Sequence, residues 1–126
     1  MLGEQFIKYG QERPDILIIE DNPADLITLK ALLKNTNNLR VAKDVKSGLD
    51  EARKATPDII IVDLSLPKEE YLNTIGRIVL SDEAQGAKVI VITAWAMKED
   101  QQAFLDTGCD YLVTKPFDPD EFTALI

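Results

Sequence analysis

The chain has 126 residues, of which 45% are hydrophobic and 29% are charged, and it carries a formal net charge of −8. This length suits a single domain with one sizeable core. The negative charge repels phosphate backbones, so we expect no direct binding to nucleic acid. The chain has no histidine, which excludes a serine or cysteine triad, a histidine-ligated zinc site and a histidine that carries a phosphoryl group. Its chemistry must therefore use carboxylates, hydroxyls and lysine.

The ends of the chain and its apolar segments indicate where the protein resides. Residues 1–14 contain no long apolar segment and no small-residue cleavage site, so they do not resemble a signal peptide. The longest uncharged apolar stretch, residues 89–97, is shorter than the roughly 20 residues of a membrane-spanning helix. The single Cys109 cannot form an internal disulfide, and we expect a buried, inert thiol. We expect a cytoplasmic protein without membrane insertion, in which residues 1–13 are an extension or linker and residues 14–126 form the domain, with a truncated last helix.

Short apolar runs rich in β-branched residues alternate along the chain with amphipathic helical patterns. The predicted strands are residues 15–19, 38–44, 58–62, 88–92 and 110–114. The predicted helices are one that begins at Pro23, one that ends before Pro57, and segments near residues 70–81, 98–107 and 118–126. The second and fifth strands are the more polar ones, which is typical of edge strands. This alternation predicts an α/β fold of the flavodoxin-like, doubly wound type, with a five-stranded parallel sheet in the order 2-1-3-4-5 and helices on both faces.

Polar side chains stand at the carboxyl ends of four predicted strands, where ligands bind in doubly wound sheets. They are Glu20 and Asp21 after strand 1, Asp63 after strand 3, Thr93 after strand 4 and Lys115 after strand 5. Neighbouring carboxylates repel each other unless a cation lies between them, and oxygen ligands favour a hard ion such as Mg²⁺. A lysine and a hydroxyl can bind phosphoryl oxygens. The set favours phosphoryl transfer onto a carboxylate, which forms an aspartyl phosphate.

Each of these residues also has an ordinary structural explanation. Asp21 or Asn22 can cap the first helix. Asp63 can cap a loop, Thr93 can bond to the backbone, and Lys115 can be a surface charge. Their joint placement at one edge of the sheet favours the functional interpretation.

Four motifs hold these polar residues: "IIEDNPAD" at residues 18–25, "IVDLSLP" at 61–67, "VITA" at 91–94 and "TKPF" at 114–117. In this order and at this spacing they resemble the receiver domain of two-component response regulators. The resemblance covers about residues 14–126. Each motif is weak alone, and the combination is specific.

The resemblance implies a role for each residue of the set. It implies that Asp63 is the phosphoacceptor, that Thr93 is the switch hydroxyl, that Lys115 binds the phosphoryl group, and that Mg²⁺ is held by Glu20, Asp21, Asp63 and the backbone carbonyl of Ser65. It also implies that the phosphoryl donor is a phosphohistidine of a sensor histidine kinase or a histidine phosphotransfer protein. The chain would then be a signalling domain that catalyses its own phosphorylation and dephosphorylation. Phosphorylation would change the face formed by helix 4, strand 5 and helix 5, which a downstream output domain or protein reads.

The sequence departs from the receiver pattern at three places. Leu112 stands where many receivers have an aromatic switch residue, and Tyr111 lies one residue earlier, on the opposite face of the strand. Coupled switching of a ring with Thr93 therefore requires a bulge that restores the register. Residues 68–75, "KEEYLNTI", lack the glycine often found there, so we expect a differently shaped loop after Pro67. Finally, we hypothesise that Trp95 restricts the attacking water and lengthens the phosphorylated lifetime; the alternative is that Trp95 packs in the core.

Three other functions are compatible with parts of the sequence. A phosphatase of the haloacid dehalogenase type needs a second aspartate as general acid at the position of Ser65, where a serine cannot serve. A flavodoxin-like cofactor carrier needs glycines or hydroxyls in the first turn, where this chain has "EDNPAD". A pseudo-receiver that only binds other proteins keeps the fold without phosphorylation, and it is the main competitor.

Overall fold

The computed structural model describes residues 13–126, and the predicted extension lies outside this range except for Arg13. The five strands of this range are β1 (Asp15–Glu20), β2 (Asn38–Ala42), β3 (Ile59–Asp63), β4 (Lys88–Thr93) and β5 (Tyr111–Thr114). The α-helices are α1 (Pro23–Leu33), α2 (Val45–Lys54), α3 (Lys68–Leu80), α4 (Lys98–Leu105) and α5 (Pro119–Thr123). No helix between residues 13 and 126 is long and apolar enough to span a bilayer.

The strands form one parallel sheet in the order β2–β1–β3–β4–β5, which confirms the predicted topology. The central strand β3 is buried along its whole length, and β1 and β4 are buried at every position but the first. The two edge strands, β2 and β5, contain partly exposed residues. The continuous isoleucine and valine runs are therefore explained by burial on both faces of the sheet.

Two hydrophobic clusters cover the two faces of the sheet, as the doubly wound fold requires. Leu17 and Ile19 of β1 pack in the cluster that includes residues of α2, α3 and α4. Ile16 and Ile18, which point the other way along the same strand, pack with residues of α1 and α5. The predicted helices on both faces are confirmed.

Capping and charge explain where two of the helices begin. Asn22 caps α1, since its side chain accepts a hydrogen bond from the Asp25 amide at 3.0 Å. This confirms the capping role for Asn22. Helix α3 begins at Lys68, directly after Pro67, so residues 68–75 are helical from the first residue, and the difference in shape from the usual receiver loop stays a prediction. Acidic side chains in the first turn of α3 favour this early start, because they face the positive end of the helix dipole.

Two glycines in helices offer a matched test of the packing of α2 on β1. A Cβ atom at Gly48 would lie 2.6 Å from Cδ1 and 2.9 Å from Cγ1 of Ile19, whereas a Cβ atom at Gly76 would meet nothing within 4 Å. Ile19 is fully buried and cannot move aside freely. Both alanine substitutions gain about 1 kcal/mol of helix propensity. The free energy of unfolding of Gly48→Ala is expected to lie about 1–3 kcal/mol below that of Gly76→Ala, because only the methyl group added at residue 48 overlaps a buried side chain. Urea unfolding followed by circular dichroism measures both, and equal values would contradict the close contact.

Candidate functional site

The register of the parallel strands gathers the predicted polar residues at one edge of the sheet. Glu20 at the end of β1 is the direct partner of Asp63 at the end of β3. Thr93 at the end of β4 is the partner of Thr114, and the next residue, Lys115, donates its amide to the Thr93 carbonyl at 2.8 Å. Residues far apart in sequence are thus neighbours because the carboxyl ends of parallel strands share an edge.

Lys115 connects the buried part of the site to its exposed rim. Its Nζ lies 2.9 Å from Oδ1 of Asp63 and 3.1 Å from Oδ2 of Asp25. Burial of the ammonium would lower the pKa of Lys115, but the hydrogen bond and charge of Asp63, and then those of Asp25, outweigh it and raise the pKa. Lys115 is therefore a permanent cation beside the Asp63 carboxylate.

Glu20 has a buried carboxyl group, one oxygen of which lacks a hydrogen-bond partner within the described residues. It is 2% exposed, and its Oε1 has no hydrogen-bond partner among residues 13–126, while Oε2 accepts a bond from the Asn22 amide at 3.3 Å. Burial raises the pKa of Glu20 to about 9, with a further contribution from the adjacent Asp63. Carboxylate oxygens of Glu20, Asp25 and Asp63 lie within 4.8 Å of one another. An unpartnered buried oxygen beside two other carboxyl groups suits a hard cation.

Asp21 and Asp25 occupy different parts of this site. The Asp21 carboxylate accepts hydrogen bonds from the Ser65 amide at 3.2 Å and 3.0 Å, so Asp21 is placed against the loop that follows Asp63. Asp25, which the sequence interpretation did not select, completes the three-carboxylate cluster and contacts Lys115. The sequence carries no specific signal for this role, because an acidic residue in the first turn of α1 is equally explained by the helix dipole.

Thr93 and Trp95 shape the opposite wall of the site. Thr93 is buried, and its hydroxyl oxygen accepts a hydrogen bond from the Trp95 amide at 3.1 Å. The core-packing alternative for Trp95 is wrong, because the residue is 40% exposed and Lys68 Nζ lies 5.8 Å from the centre of its ring. Trp95 lines a cleft of about 340 Å³ together with Asp63, Thr93 and Lys115.

The aromatic residue of β5 faces away from the site. β5 pairs with β4 in unbroken register from Tyr111 to Thr114, so the described part of this strand has no bulge. Tyr111 is partly exposed, with Lys88 Nζ 5.5 Å from its ring centre, whereas Leu112 packs against the core cluster that includes α3 and α4. The ring therefore lies on the face of the sheet opposite to the usual switch position.

Comparison with known proteins identifies the family of this chain. The family model of the response regulator receiver domain matches residues 16–126. An uncharacterised 14.6 kDa protein of Leptolyngbya boryana is 30% identical over 113 residues, which cover 89% of this chain and 86% of that protein. The polar-differentiation response regulator DivK of Brucella anthropi is 29% identical over 113 residues, which cover 88% of this chain and 91% of DivK.

A solved structure shows the same fold. The receiver domain of a sensor histidine kinase from Pseudomonas aeruginosa, crystallised with a magnesium ion in its active-site cleft, superposes with a TM-score of 0.74 at 23% identity. The alignment covers 90% of this chain and 94% of that one. The chain therefore belongs to the response regulator receiver family and is a receiver domain of two-component signalling.

The raised pKa of Glu20 makes the stability of the protein depend on pH. In the absence of divalent cations, the folded state keeps the Glu20 proton from the ordinary pKa of 4.5 up to about 9, whereas the unfolded state loses it. Stability contributed by this group is therefore present below pH 4.5 and is lost as the pH rises toward 9. Glu20→Gln, which cannot ionise, is expected to be stabilised relative to wild type by an amount that grows across this window.

Urea unfolding midpoints with EDTA at several pH values between about 5 and 9 measure this difference. Glu70→Gln, at an exposed position in α3, is the control and should follow the wild-type profile. A constant difference between Glu20→Gln and wild type over the window would contradict the assignment.

Proposed function

We propose that this chain is the phosphoacceptor receiver domain of a two-component phosphorelay and that Asp63 takes the phosphoryl group. The donor would be a phosphohistidine of a sensor histidine kinase or a histidine phosphotransfer protein. The observation that carries the proposal is the 2.9 Å contact between the Lys115 ammonium and the Asp63 carboxylate. It joins a buried carboxylate to a fixed cation that can bind phosphoryl oxygens, within the part of the chain that the receiver family model matches.

The proposed step is an in-line transfer to Asp63. One Asp63 carboxylate oxygen forms a bond to phosphorus while the bond between phosphorus and the donor imidazole nitrogen breaks, and that nitrogen keeps the electron pair. Lys115 holds a phosphoryl oxygen through the same ammonium that now contacts Asp63. Thr93 holds another oxygen after its hydroxyl turns away from the Trp95 amide, so that its proton points to the phosphoryl group.

The donor set of the site fits magnesium. The unpartnered Oε1 of Glu20 and the neighbouring carboxylates offer oxygen atoms only, which a hard divalent cation prefers. We assign Glu20, Asp21, Asp63 and the Ser65 carbonyl as the residues that hold it, with Asp25 as a further carboxylate within reach of Glu20 and Asp63. When bound, Mg²⁺ supplies positive charge that offsets the carboxylates and the phosphoryl oxygens.

The proposed output follows from the movement of Thr93. Turning this hydroxyl toward a phosphoryl group breaks its bond with the Trp95 amide at the start of the loop to α4, which biases the face formed by α4, β5 and α5. A downstream output domain or protein would read that face. The domain would act without direct contact to nucleic acid. A reducing cytoplasm suits its buried thiol, Cys109, in which burial raises the pKa.

A pseudo-receiver is the competing function, and one observation favours it. Leu112 occupies the usual switch position and Tyr111 points the other way, so the aromatic part of the usual response is missing at β5. Such a domain would keep the fold and bind partners without a covalent change. The two functions differ in one measurable property, the formation of a phosphoryl adduct.

Asp63→Asn separates the two functions. Wild-type protein incubated with acetyl phosphate and Mg²⁺ is expected to gain the mass of one phosphoryl group, and the adduct should be absent in Asp63→Asn because an amide cannot form the acyl phosphate. Intact-mass spectrometry measures both. Asp106→Asn, at an exposed position, is the matched control and should behave as wild type. An unmodified wild type, or an adduct that persists in Asp63→Asn, would refute the proposal.

Trp95 provides a test of how water reaches the phosphorylated site. Its indole lines the cleft beside Asp63, so its removal opens the path of the attacking water. Trp95→Ala is expected to speed autodephosphorylation about three- to tenfold. The decay of the purified adduct after removal of the donor measures this rate. Met97→Ala, two residues further along the same loop, controls for a general loosening of the loop. Equal decay rates in wild type and Trp95→Ala would rule out the shielding role.

A further inference from the structure

A buried phenol lies on the core side of β3 and β4, the two strands that end in Asp63 and Thr93. Tyr71 of α3 is 2% exposed, and its hydroxyl lies 3.0 Å from the Val62 carbonyl and 2.8 Å from the Ile92 carbonyl. The same hydroxyl accepts a hydrogen bond from the Leu64 amide at 3.3 Å. One side-chain oxygen from α3 therefore bonds to the backbone of two strands and of the segment that follows one of them.

The backbone groups that Tyr71 contacts flank the residues that would perform the chemistry. Val62 and Leu64 lie immediately before and after Asp63, and Ile92 lies immediately before Thr93. Successive residues of a strand share peptide planes, so a displaced carbonyl moves the following side chain with it. The hydroxyl thus limits the movement of both Asp63 and Thr93.

The hydroxyl has one proton for two carbonyl acceptors. It donates to the β3 carbonyl, to the β4 carbonyl, or to both in a shared bond, and each arrangement holds the two strand ends around one oxygen atom. Burial raises the pKa of Tyr71 well above its ordinary value, so the proton stays on the phenol. A phenylalanine of the same shape would fill the space but would leave these carbonyls without this donor.

The rest of α3 and α4 holds the phenol in place. The Tyr71 ring packs edge-on against Phe104 of α4, with the ring centres 5.5 Å apart and the planes at 68°. The Tyr71 amide donates to the Pro67 carbonyl at 2.8 Å, which fixes the first turn of α3. The hydroxyl is therefore anchored on a helix and a ring and is not a mobile group.

We infer that Tyr71 is a positioning residue for the phosphoryl-transfer site, whose hydroxyl holds Asp63 and Thr93 at a working separation. The inference rests on the proposed function, since it concerns the rate at which Asp63 accepts a phosphoryl group. It gives a role to the segment "KEEYLNTI", in which the sequence departs from the usual receiver pattern. The tyrosine hydroxyl that bonds to the backbone beside Thr93 therefore belongs to α3, whereas the tyrosine of β5 lies on the other face of the sheet.

The test removes one oxygen atom in each of two variants. Tyr71→Phe deletes the buried hydroxyl, and the control Tyr111→Phe deletes the hydroxyl of a partly exposed tyrosine on β5. The rate constant for adduct formation with acetyl phosphate and Mg²⁺ is measured by intact mass. Tyr71→Phe is expected to slow phosphorylation about five- to tenfold, the effect of one positioning hydrogen bond, while Tyr111→Phe stays within about twofold of wild type.

A double-mutant cycle distinguishes positioning from a general loss of stability. If the hydroxyl acts partly through Thr93, its removal matters less when the Thr93 hydroxyl is already absent. In a Thr93→Ala background, Tyr71→Phe is therefore expected to lower the rate constant for adduct formation by less than about threefold.

Phe104→Leu keeps the Tyr71 hydroxyl but removes the ring contact that anchors it. It is expected to lower the same rate constant by a smaller factor than Tyr71→Phe does. It also serves as the second variant should Tyr71→Phe fail to fold, which urea unfolding reports.

Two results would overturn the positioning role alone. One is a Tyr71→Phe rate within about twofold of wild type, and the other is the same factor of slowing in the wild-type and Thr93→Ala backgrounds. A wild type that forms no adduct would overturn the proposed function together with this inference. Failure of the proposed function is therefore recognised in the wild type, and failure of the inference only in the variants.

Discussion

The site depends on two carboxyl groups that are direct partners on paired strands. Glu20 and Asp63 are both buried, and Lys115 is the ammonium that contacts Asp63. Two neighbouring buried carboxylates repel each other unless one keeps its proton or a further cation balances their charge. The raised pKa of Glu20 means that this residue keeps its proton. The described residues of this site therefore carry more carboxyl groups than ammonium groups, at the place where we propose that Mg²⁺ and a phosphoryl group bind.

The apolar interior of the sheet keeps these charges together. Strands β1, β3 and β4 are buried on both faces, so a slip of one residue toward the carboxyl end would carry a charged first residue, Asp15 of β1 or Lys88 of β4, into the buried part of the sheet. The register is therefore strongly specified, and with it the pairing of Glu20 with Asp63. The energy that holds the like charges near each other comes from the hydrophobic core.

Polar contacts then hold the site from several directions. Asp25 of α1 contacts Lys115 at the rim, Asp21 binds the loop after Asp63, and Tyr71 of α3 bonds to the strand ends from the core side. Leu112 of β5 packs against the core cluster, and the aromatic pair of that cluster, Tyr71 and Phe104, joins α3 to α4. The backbone beside Asp63 and Thr93 is therefore held from the core side by α3.

The sequence by itself determined the sheet and most of its polar edge. Continuous β-branched runs identified the central strands, polar runs identified the edges, and the order of the strands placed Glu20, Asp63, Thr93 and Lys115 together, because parallel strands end at one edge. Only the tertiary structure decided that Asp25 joins the carboxylates, that Trp95 is exposed, and that Tyr71 bonds to two strands. These features depend on how side chains of elements far apart in the chain point toward one another. The periodicity of residues along a single helix or strand contains no information about such directions.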